Sequence, residues 1–239
     1  MTRAVVIRAM PYGESDLIVT LLTEGHGMLR GIARGGMRSR KRFAGCFEPF
    51  TLLMLGCRVR DGGGLAGIDS ADILRAYYGI REDLARIEAG ARMLELVSAV
   101  EVSGTSCGAV FGLLTKALGL LEGASCPAAL CGAFFVKYIA ASGFRIPYES
   151  CSRCGGAFTG KAFYGGGHGL YCPRCRGRGD PLMLSPGCLS FIRAASASGA
   201  GMMGRLRLTR PAEEELMGFL KRYVEGVVGK SLKTLDNFS

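Results

Sequence analysis

Short apolar runs separated by turn residues fill roughly the first 70 residues of the chain, a pattern typical of β-strands. Five such runs stand at 2–10, 17–23, 28–34, 47–59 and 64–68. Between them lie the glycine-containing segments 11–13, 25–27 and 61–64, which favour turns, and no helical period intervenes. Five short strands in so few residues suit a small closed barrel of the OB type.

After Asp69 the apolar spacing changes to three and four residues, which indicates helices. The positions with this spacing are Leu84, Ile87, Ala91, Leu94 and Val97. The more uniformly apolar stretches 110–121 and 130–139 predict inner helices of a bundle. A short helix is expected over 186–197 and a last one after Thr209, where acidic residues precede basic ones as the helix dipole favours. From Gly229 onward we expect an irregular tail.

The chain has ten cysteines, and they fall into two groups. Six lie singly in apolar segments, as small hydrophobic residues do in a reducing compartment. These are Cys46, Cys57, Cys107, Cys126, Cys131 and Cys188. The other four form two Cys-x-x-Cys pairs separated by seventeen residues, namely Cys151, Cys154, Cys172 and Cys175.

Each Cys-x-x-Cys pair turns the backbone so that both thiolates face one point. Two pairs supply the tetrahedral four-sulfur shell that zinc accepts, so we predict one Zn²⁺. Because four protein ligands leave no open coordination position, this metal would be structural. Disulfide or redox pairing is the alternative, and His168 is a competing ligand.

A net charge of +10 favours an anionic partner, and the excess is concentrated near the start of the chain. Residues 34–42, which we call the basic loop, carry five cations, and no acid follows before Glu48. Mutual repulsion predicts a mobile loop, which would suit a phosphate backbone; a solvated surface loop is the bland alternative. Candidate phosphate contacts are Arg30, Arg34, Arg38, Arg40, Lys41 and Arg42. Phe43 would either stack on a base or pack in the core.

Composition narrows the class of protein. Apolar residues make up 49 % of the chain and charged residues 21 %, which is typical of a soluble globular protein. We find no signal-peptide pattern and no apolar run of the roughly 20 residues that a membrane span needs, so we expect a cytoplasmic protein without a membrane partner. Glu14, Asp16 and Glu48 leave open a magnesium-dependent nuclease. We find no set of nucleophile, base and orienting group, and expect no enzymatic activity.

These patterns predict an α+β multidomain chain. Its parts would be an N-terminal OB-fold β-barrel over 1–69, an α-helical bundle built from 70–147 and 181–239, and an inserted four-cysteine zinc finger over 148–180. We call this last segment the finger. It would act mainly to staple a loop that cannot bury a core of its own, although its arginines could also touch nucleic acid.

Several segments also match a known family. They are Tyr12-Gly-Glu-Ser-Asp16, Ile18-Val-Thr-Leu21 with Thr23 and Gly27, Ala33-Arg34-Gly35 with the basic loop, Phe43 and Gly45 leading to Pro49-Phe50, Arg222-Tyr223-Val-Glu225, and Leu232-Lys233-Thr-Leu235. Together they resemble the RecO family of bacterial DNA repair proteins. Gly36-Met37 departs from that family, which more often has a small residue and arginine there, and the four-cysteine finger occurs in only part of it.

The resemblance implies a recombination mediator that makes and breaks no bond itself. Such proteins bind single- and double-stranded DNA, anneal strands, and act with RecR to load RecA onto DNA coated by single-strand-binding protein, whose acidic C-terminal tail they recognise. Cytoplasmic, nucleoid-associated localisation is implied as well. Two alternatives stay open: a zinc-ribbon and OB protein acting in transcription or on RNA, and an adaptor that binds protein partners but no DNA.

Overall fold

The structure is a computed structural model that describes residues 1–39, 41–59, 64–102, 104–167 and 169–238. Its first unit is a closed barrel with the strand order β1-β2-β3-β5-β4, in which β4 pairs back with β1. The strands are β1 Thr2–Tyr12, β2 Asp16–Thr23, β3 Gly27–Ala33, β4 Leu52–Arg58 and β5 Ala66–Arg75. All neighbours are antiparallel except β3 and β5, which are parallel. The predicted OB-like barrel is confirmed.

Two strands differ in extent from the predicted ones. β4 begins only at Leu52, and the predicted start at Phe47 lies in the loop before it, where the Phe47 side chain is part of the barrel core. β5 continues to Arg75, beyond the boundary expected at residue 69, and Arg75 is paired with Leu52. The last four residues of β5 are exposed, so they show no apolar alternation that could have revealed a strand.

The first strand is buried on both faces, which joins the barrel to the helices. Ala4 and Val6 lie in the core inside the barrel, whereas Val5 and Ile7 belong to the larger core formed with the helices. Phe50 strengthens the same junction. A Cβ built on Gly90 of the second helix would lie 2.8 Å from the Phe50 ring, so the glycine allows the close approach.

Among the described residues, six helices form the second unit: α1 Tyr78–Arg81, α2 Leu84–Ala99, α3 Cys107–Leu121, α4 Pro127–Ala141, α5 Pro186–Ala197 and α6 Arg210–Val228. Short 3₁₀ segments accompany them at Gly104–Ser106, Ala200–Arg205 and Lys233–Phe238. The central helix is α4, which packs against α2, α3, α5 and α6 and buries most of its side chains, as its uniformly apolar sequence predicts. No described helix combines the length and the apolarity that crossing a bilayer requires.

Two helical expectations need correction. Leu84 is 71 % exposed and Ile87 is 36 % exposed, so the first turn of α2 lies outside the core although its spacing fits the apolar stripe. The tail after Gly229 is not irregular. Leu232 and Leu235 are fully buried, because the Glu95 carboxylate of α2 accepts hydrogen bonds from the first amides of the 3₁₀ segment and holds the tail down.

The finger and the segment just after it contain strands that the glycine-rich sequence did not predict. They are β6 Ala162–Tyr164, β7 Leu170–Tyr171 and β8 Leu182–Leu184, in the order β7-β6-β8, with β8 lying just after the predicted segment. The sheet docks on α6 through Tyr164, whose ring centroid lies 5.4 Å from that of Phe219. The Tyr164 hydroxyl also lies 3.2 Å from the Arg222 carbonyl of α6.

Candidate nucleic-acid interface and metal centre

The basic loop leaves the barrel at the end of β3 and is tied back to the start of β2. The Asp16 carboxylate accepts a hydrogen bond from the Gly35 amide at 2.7 Å, and the Met37 amide donates to the Ser15 carbonyl at 2.9 Å. These contacts connect the first half of the loop to the barrel. Local hydrogen bonds satisfy the backbone there, although the side chains repel one another.

Arg42 closes the loop onto its own first residue. Its guanidinium donates to the Arg34 carbonyl at 2.9 Å and lies 5.0 Å from the centroid of the Phe43 ring. Its amide donates to the Ser39 hydroxyl at 3.1 Å. Arg42 therefore positions the loop in addition to contributing charge.

All four described cations of the loop are exposed to solvent. They are Arg34, Arg38, Lys41 and Arg42. None of these four forms an ion pair with a residue that the structure describes. On the strands of the barrel, Arg3 is paired with Glu24 and Arg58 with Asp69. The predicted contact Arg40 lies outside the described residues.

Phe43 belongs to the barrel core. Its side chain is 2 % exposed, and its ring centroid lies 5.2 Å from that of Phe47. A base cannot stack on this ring unless the barrel opens. Of the two interpretations that the sequence left open, core packing is the one that the structure supports, and Phe43 leaves the set of candidate nucleic-acid contacts.

Arg30 lies on the outer face of β3, apart from the basic loop. It lines a groove of about 840 Å³ between the barrel and α2, together with Arg8 of β1 and Lys230 from the tail. Sequence reasoning missed these two partners. A β-bulge between Val6 and Arg8 shifts the register of β1, so simple alternation does not predict where Arg8 faces, and Lys230 comes from the far end of the chain.

The three carboxylates of the nuclease hypothesis are engaged in other contacts or stand apart. Asp16 anchors the basic loop, and the Glu48 carboxylate lies 3.2 Å from the Arg81 guanidinium. Glu14 joins neither of them in a cluster. Over the described ranges, the cysteines of the finger are the one group of three or more side chains that could hold a metal ion.

The four predicted ligands of the finger converge. The sulfur atoms of Cys151, Cys154, Cys172 and Cys175 all lie within 4.8 Å of one another, and the Cys154 and Cys172 sulfurs are 3.9 Å apart. A tetrahedral zinc site with Zn–S bonds of about 2.3 Å has sulfur atoms about 3.8 Å apart. The four thiols therefore fit a metal ion. His168, the competing ligand, lies outside the described residues.

Backbone turns direct the sulfurs of each pair to this point. The Gly155 amide donates to the Cys151 carbonyl at 2.8 Å, and the Cys175 amide donates to the Cys172 carbonyl at 2.9 Å. These turns are what the Cys-x-x-Cys spacing predicts. The six remaining cysteines lie buried or half-buried elsewhere, with unpaired thiols.

The thiols of the cluster differ in how readily they ionise. Burial raises the pKa of Cys151, but hydrogen bonds from the backbone of Cys172, Cys154 and Arg153 outweigh it and lower the pKa to about 6. The hydrogen bond with Cys172, followed by burial, raises the pKa of Cys175 to about 12. Backbone donors thus already favour a thiolate on one side of the cluster, as a cation site requires.

Two family models together match nearly the whole chain. The model described as "Recombination protein O N terminal" matches residues 1–77, and the model described as "Recombination protein O C terminal" matches residues 81–236. The chain belongs to the RecO family.

Individual relatives agree with this assignment over most of their length. A protein named DNA repair protein RecO from Anaeromyxobacter sp. (strain Fw109-5) is 35 % identical over 228 residues, which cover 92 % of this chain and 89 % of the relative. The protein of that name from Myxococcus xanthus is 31 % identical over 98 % of this chain and 94 % of the relative. The one from Geobacter sulfurreducens is 36 % identical over 75 % and 74 %. The chain is a RecO-family DNA repair protein.

The boundary between the two RecO family models agrees with the fold. The first model ends at residue 77, just after β5 ends at Arg75, and the second begins at residue 81, where α1 ends. The C-terminal model of the RecO family spans the helices and the finger together. This division matches the two described units better than a boundary at residue 69.

Proposed function

We propose that this protein is a recombination mediator that binds single- and double-stranded DNA through the outer surface of its barrel and anneals complementary strands. The observation that carries the proposal is the basic loop. Its four described cations are exposed and have no acidic partner in the described structure, whereas Arg3 and Arg58 of the same barrel are ion-paired. Family membership supports the same conclusion.

The binding expected from such a surface is electrostatic. Each cation that neutralises a phosphate releases condensed counterions, so affinity falls steeply with salt and depends little on sequence. The four described cations of the loop and Arg30, on the outer face of β3, would form the phosphate contacts. With Phe43 buried, base stacking contributes nothing from that position.

The partners follow from the resemblance to the family. We propose that the protein acts with RecR to help load RecA onto DNA coated by single-strand-binding protein, and that it recognises the acidic C-terminal tail of that coat protein. It would work in the cytoplasm, at the nucleoid, without catalysing a reaction. No described cluster of side chains offers a site for the nuclease hypothesis.

We propose Zn²⁺ as the metal of the finger. The four-thiol donor set and the sulfur separations support it, since zinc accepts a tetrahedral sulfur shell. Cys151, Cys154, Cys172 and Cys175 would hold the ion and occupy every coordination position. The ion would therefore brace the finger and take no part in chemistry.

The DNA-binding proposal is tested by salt titration of single-stranded DNA binding, measured by fluorescence anisotropy. We expect R38A/K41A to lower the slope of log affinity against log salt by about 1.4, because each lost phosphate contact removes about 0.7 on single strands. Near 0.1 M salt the affinity should fall on the order of tenfold. An unlabelled RNA of the same length is added as a competitor, which tests the alternative that the protein acts in transcription or on RNA.

The matched control is R3A/R58A, which removes the same charge from the same barrel but takes arginines that are already paired with Glu24 and Asp69. This variant should keep most of the salt slope. Equal losses in the two variants would mean that net charge alone, and not the basic loop, attracts DNA. Failure of the wild-type protein to bind at low salt would leave the adaptor alternative instead.

A further inference from the structure

A second basic cavity lies between the finger and the end of α6. It encloses about 650 Å³ and is lined by Arg153, Arg176 and Arg178 from the finger and by Arg222 from α6. Its acidic lining residues are Asp180 and Glu225. Four cations against two acids leave the cavity positive. The sequence hinted at this, since 151–178 contains five cations and no acid.

The arginines of the cavity are not neutralised from within. None of the four forms an ion pair in the part of the chain that the structure describes. Glu225, in contrast, is already engaged, because its carboxylate accepts hydrogen bonds from the Ser231 hydroxyl at 3.0 Å and the Leu232 amide at 3.3 Å. The four guanidinium groups are therefore the groups of the cavity that are available to bind a ligand.

Two of the arginines are held in place by aromatic rings. The Arg176 guanidinium lies 4.9 Å from the centroid of the Phe163 ring, and the Arg153 guanidinium lies 5.8 Å from that of Tyr171. A guanidinium stacked on a ring keeps the N–H groups at its edge free to donate, and this planar fork matches a phosphate group. Ordering the side chains before binding lowers the entropic cost of contact.

The backbone around Arg178 is open to an approaching anion. Gly177 has a φ of +78° and Gly179 a φ of +119°, conformations that favour glycine, and a Cβ built on either would meet no atom within 4 Å. No side chain of these two residues stands between the cavity and the backbone amides. The loop can therefore approach a phosphate closely.

The two walls of the cavity are connected to each other. The finger, in which the four thiols converge, forms one wall, and α6 forms the other. The Tyr164 hydroxyl connects them, because it lies 3.0 Å from the Gly167 carbonyl in the finger and 3.2 Å from the Arg222 carbonyl in α6.

The end of α6 also relates the cavity to the barrel. Arg222 and Gly226 in the last turns of α6 line the cavity, while Lys230, two residues after the helix, lines the groove that contains Arg8 and Arg30. The cavity and the groove thus adjoin the same short segment of chain, although Glu95 and Glu101 also line the groove and Lys230 is ion-paired with Glu101.

We propose that this cavity binds backbone phosphate of single-stranded DNA and gives the protein a second nucleic-acid contact, on the finger, in addition to the barrel. The inference rests on the proposed DNA-binding function and extends it. It assigns the finger a direct part in binding beyond the bracing that its metal provides.

The test compares two double variants of the full-length protein with equal charge loss. R176A/R178A removes two cations from the cavity, and K161A/R174A removes two from the same finger that do not line it. On a single-stranded oligonucleotide we expect the first variant to lose on the order of tenfold in affinity near 0.1 M salt and about 1.4 of the salt slope. The second should stay within about twofold of wild type, since no bound phosphate is expected at its positions.

A third variant tests the cavity without changing any residue of the finger. Arg222 lies on α6, outside the finger. The R222A variant should lower the salt slope by about 0.7, while the metal content of the protein, counted by elemental analysis, stays unchanged. If R176A/R178A loses its metal or fails to fold, the result with R222A decides the question.

The remaining outcomes separate this inference from the proposed function. Equal losses in R176A/R178A and K161A/R174A, or no loss in either, would overturn the cavity as a site. In both cases a clear loss in R38A/K41A would leave the barrel proposal intact. Absence of binding by the wild-type protein would overturn both.

Discussion

The barrel and the finger are both small β-units that carry unpaired basic side chains, yet they are stabilised in different ways. The barrel has a core of its own, in which residues such as Val6, Leu21 and Leu53 are fully buried. The described residues of the finger form no apolar cluster of their own. Its buried Tyr164 and Leu170 belong to the core of the helical unit.

Size explains the difference. The barrel has roughly 75 residues, enough to enclose an apolar interior, whereas units below about 40 residues usually need metals, disulfides or a partner. We therefore expect the finger to depend on two supports, a metal held by its own four thiols and its packing on α6. The contrast implies that the same perturbation should act differently on the two basic surfaces.

Removing the metal should have the largest effect, and it should act on the finger but not on the barrel. We expect elemental analysis to count one zinc per chain, and a strong chelator or Cys175→Ser to release it and unfold the finger, because metal binding supplies much of the folding free energy of such a unit. Hydrogen exchange should show the Ser152 and Leu170 amides losing protection while β1 to β3 keep theirs. Both amides are hydrogen-bonded within the finger.

Cys126→Ser serves as the control, since its half-buried thiol lies outside the cluster. It should retain the zinc and the protection of the finger. Full protection in Cys175→Ser would contradict the metal's bracing role.

Phe43→Ala should give the next largest effect, on the barrel side. Truncating a fully buried phenylalanine costs about 3 to 5 kcal/mol, so the free energy of unfolding measured by urea denaturation should fall by that amount. Phe43→Leu fills most of the space and should cost less. A nearly neutral Phe43→Ala that nonetheless binds DNA poorly would restore base stacking as the role of this ring.

Tyr164→Phe should have the smallest effect and should loosen the finger on α6 without unfolding it. Removing the hydroxyl takes one hydrogen bond from the junction, which costs about 0.5 to 1.5 kcal/mol. The readout is the exchange rate of finger amides at constant zinc content. Tyr171→Phe is the matched control, because its hydroxyl has no hydrogen-bond partner among the described residues, and it should exchange as the wild type does.

Much of the fold follows from local patterns. The helix over 186–197 was predicted at its observed bounds, α4 begins with proline in its first turn, and the two Cys-x-x-Cys pairs met where their spacing indicated. The end of β5 and the strands of the finger escaped prediction. Their stability comes from pairing with distant strands, and their residues carry no alternation of their own.

The sequence by itself determined the barrel, the helical bundle, the four ligands and the location of the positive charge, because each depends on periodicity or on spacing within a short segment. The tertiary structure alone decided which cations are free. Arg38 and Arg58 have the same chemistry in the sequence, yet Arg58 meets Asp69 across two paired strands, while Arg38 meets no acid in the described structure. Ion pairing depends on distance in space, so only folding could bring Arg222 next to the arginines of the finger. For the same reason only the folded structure shows that Phe43, which follows the basic loop in the sequence, is buried and not available for base stacking.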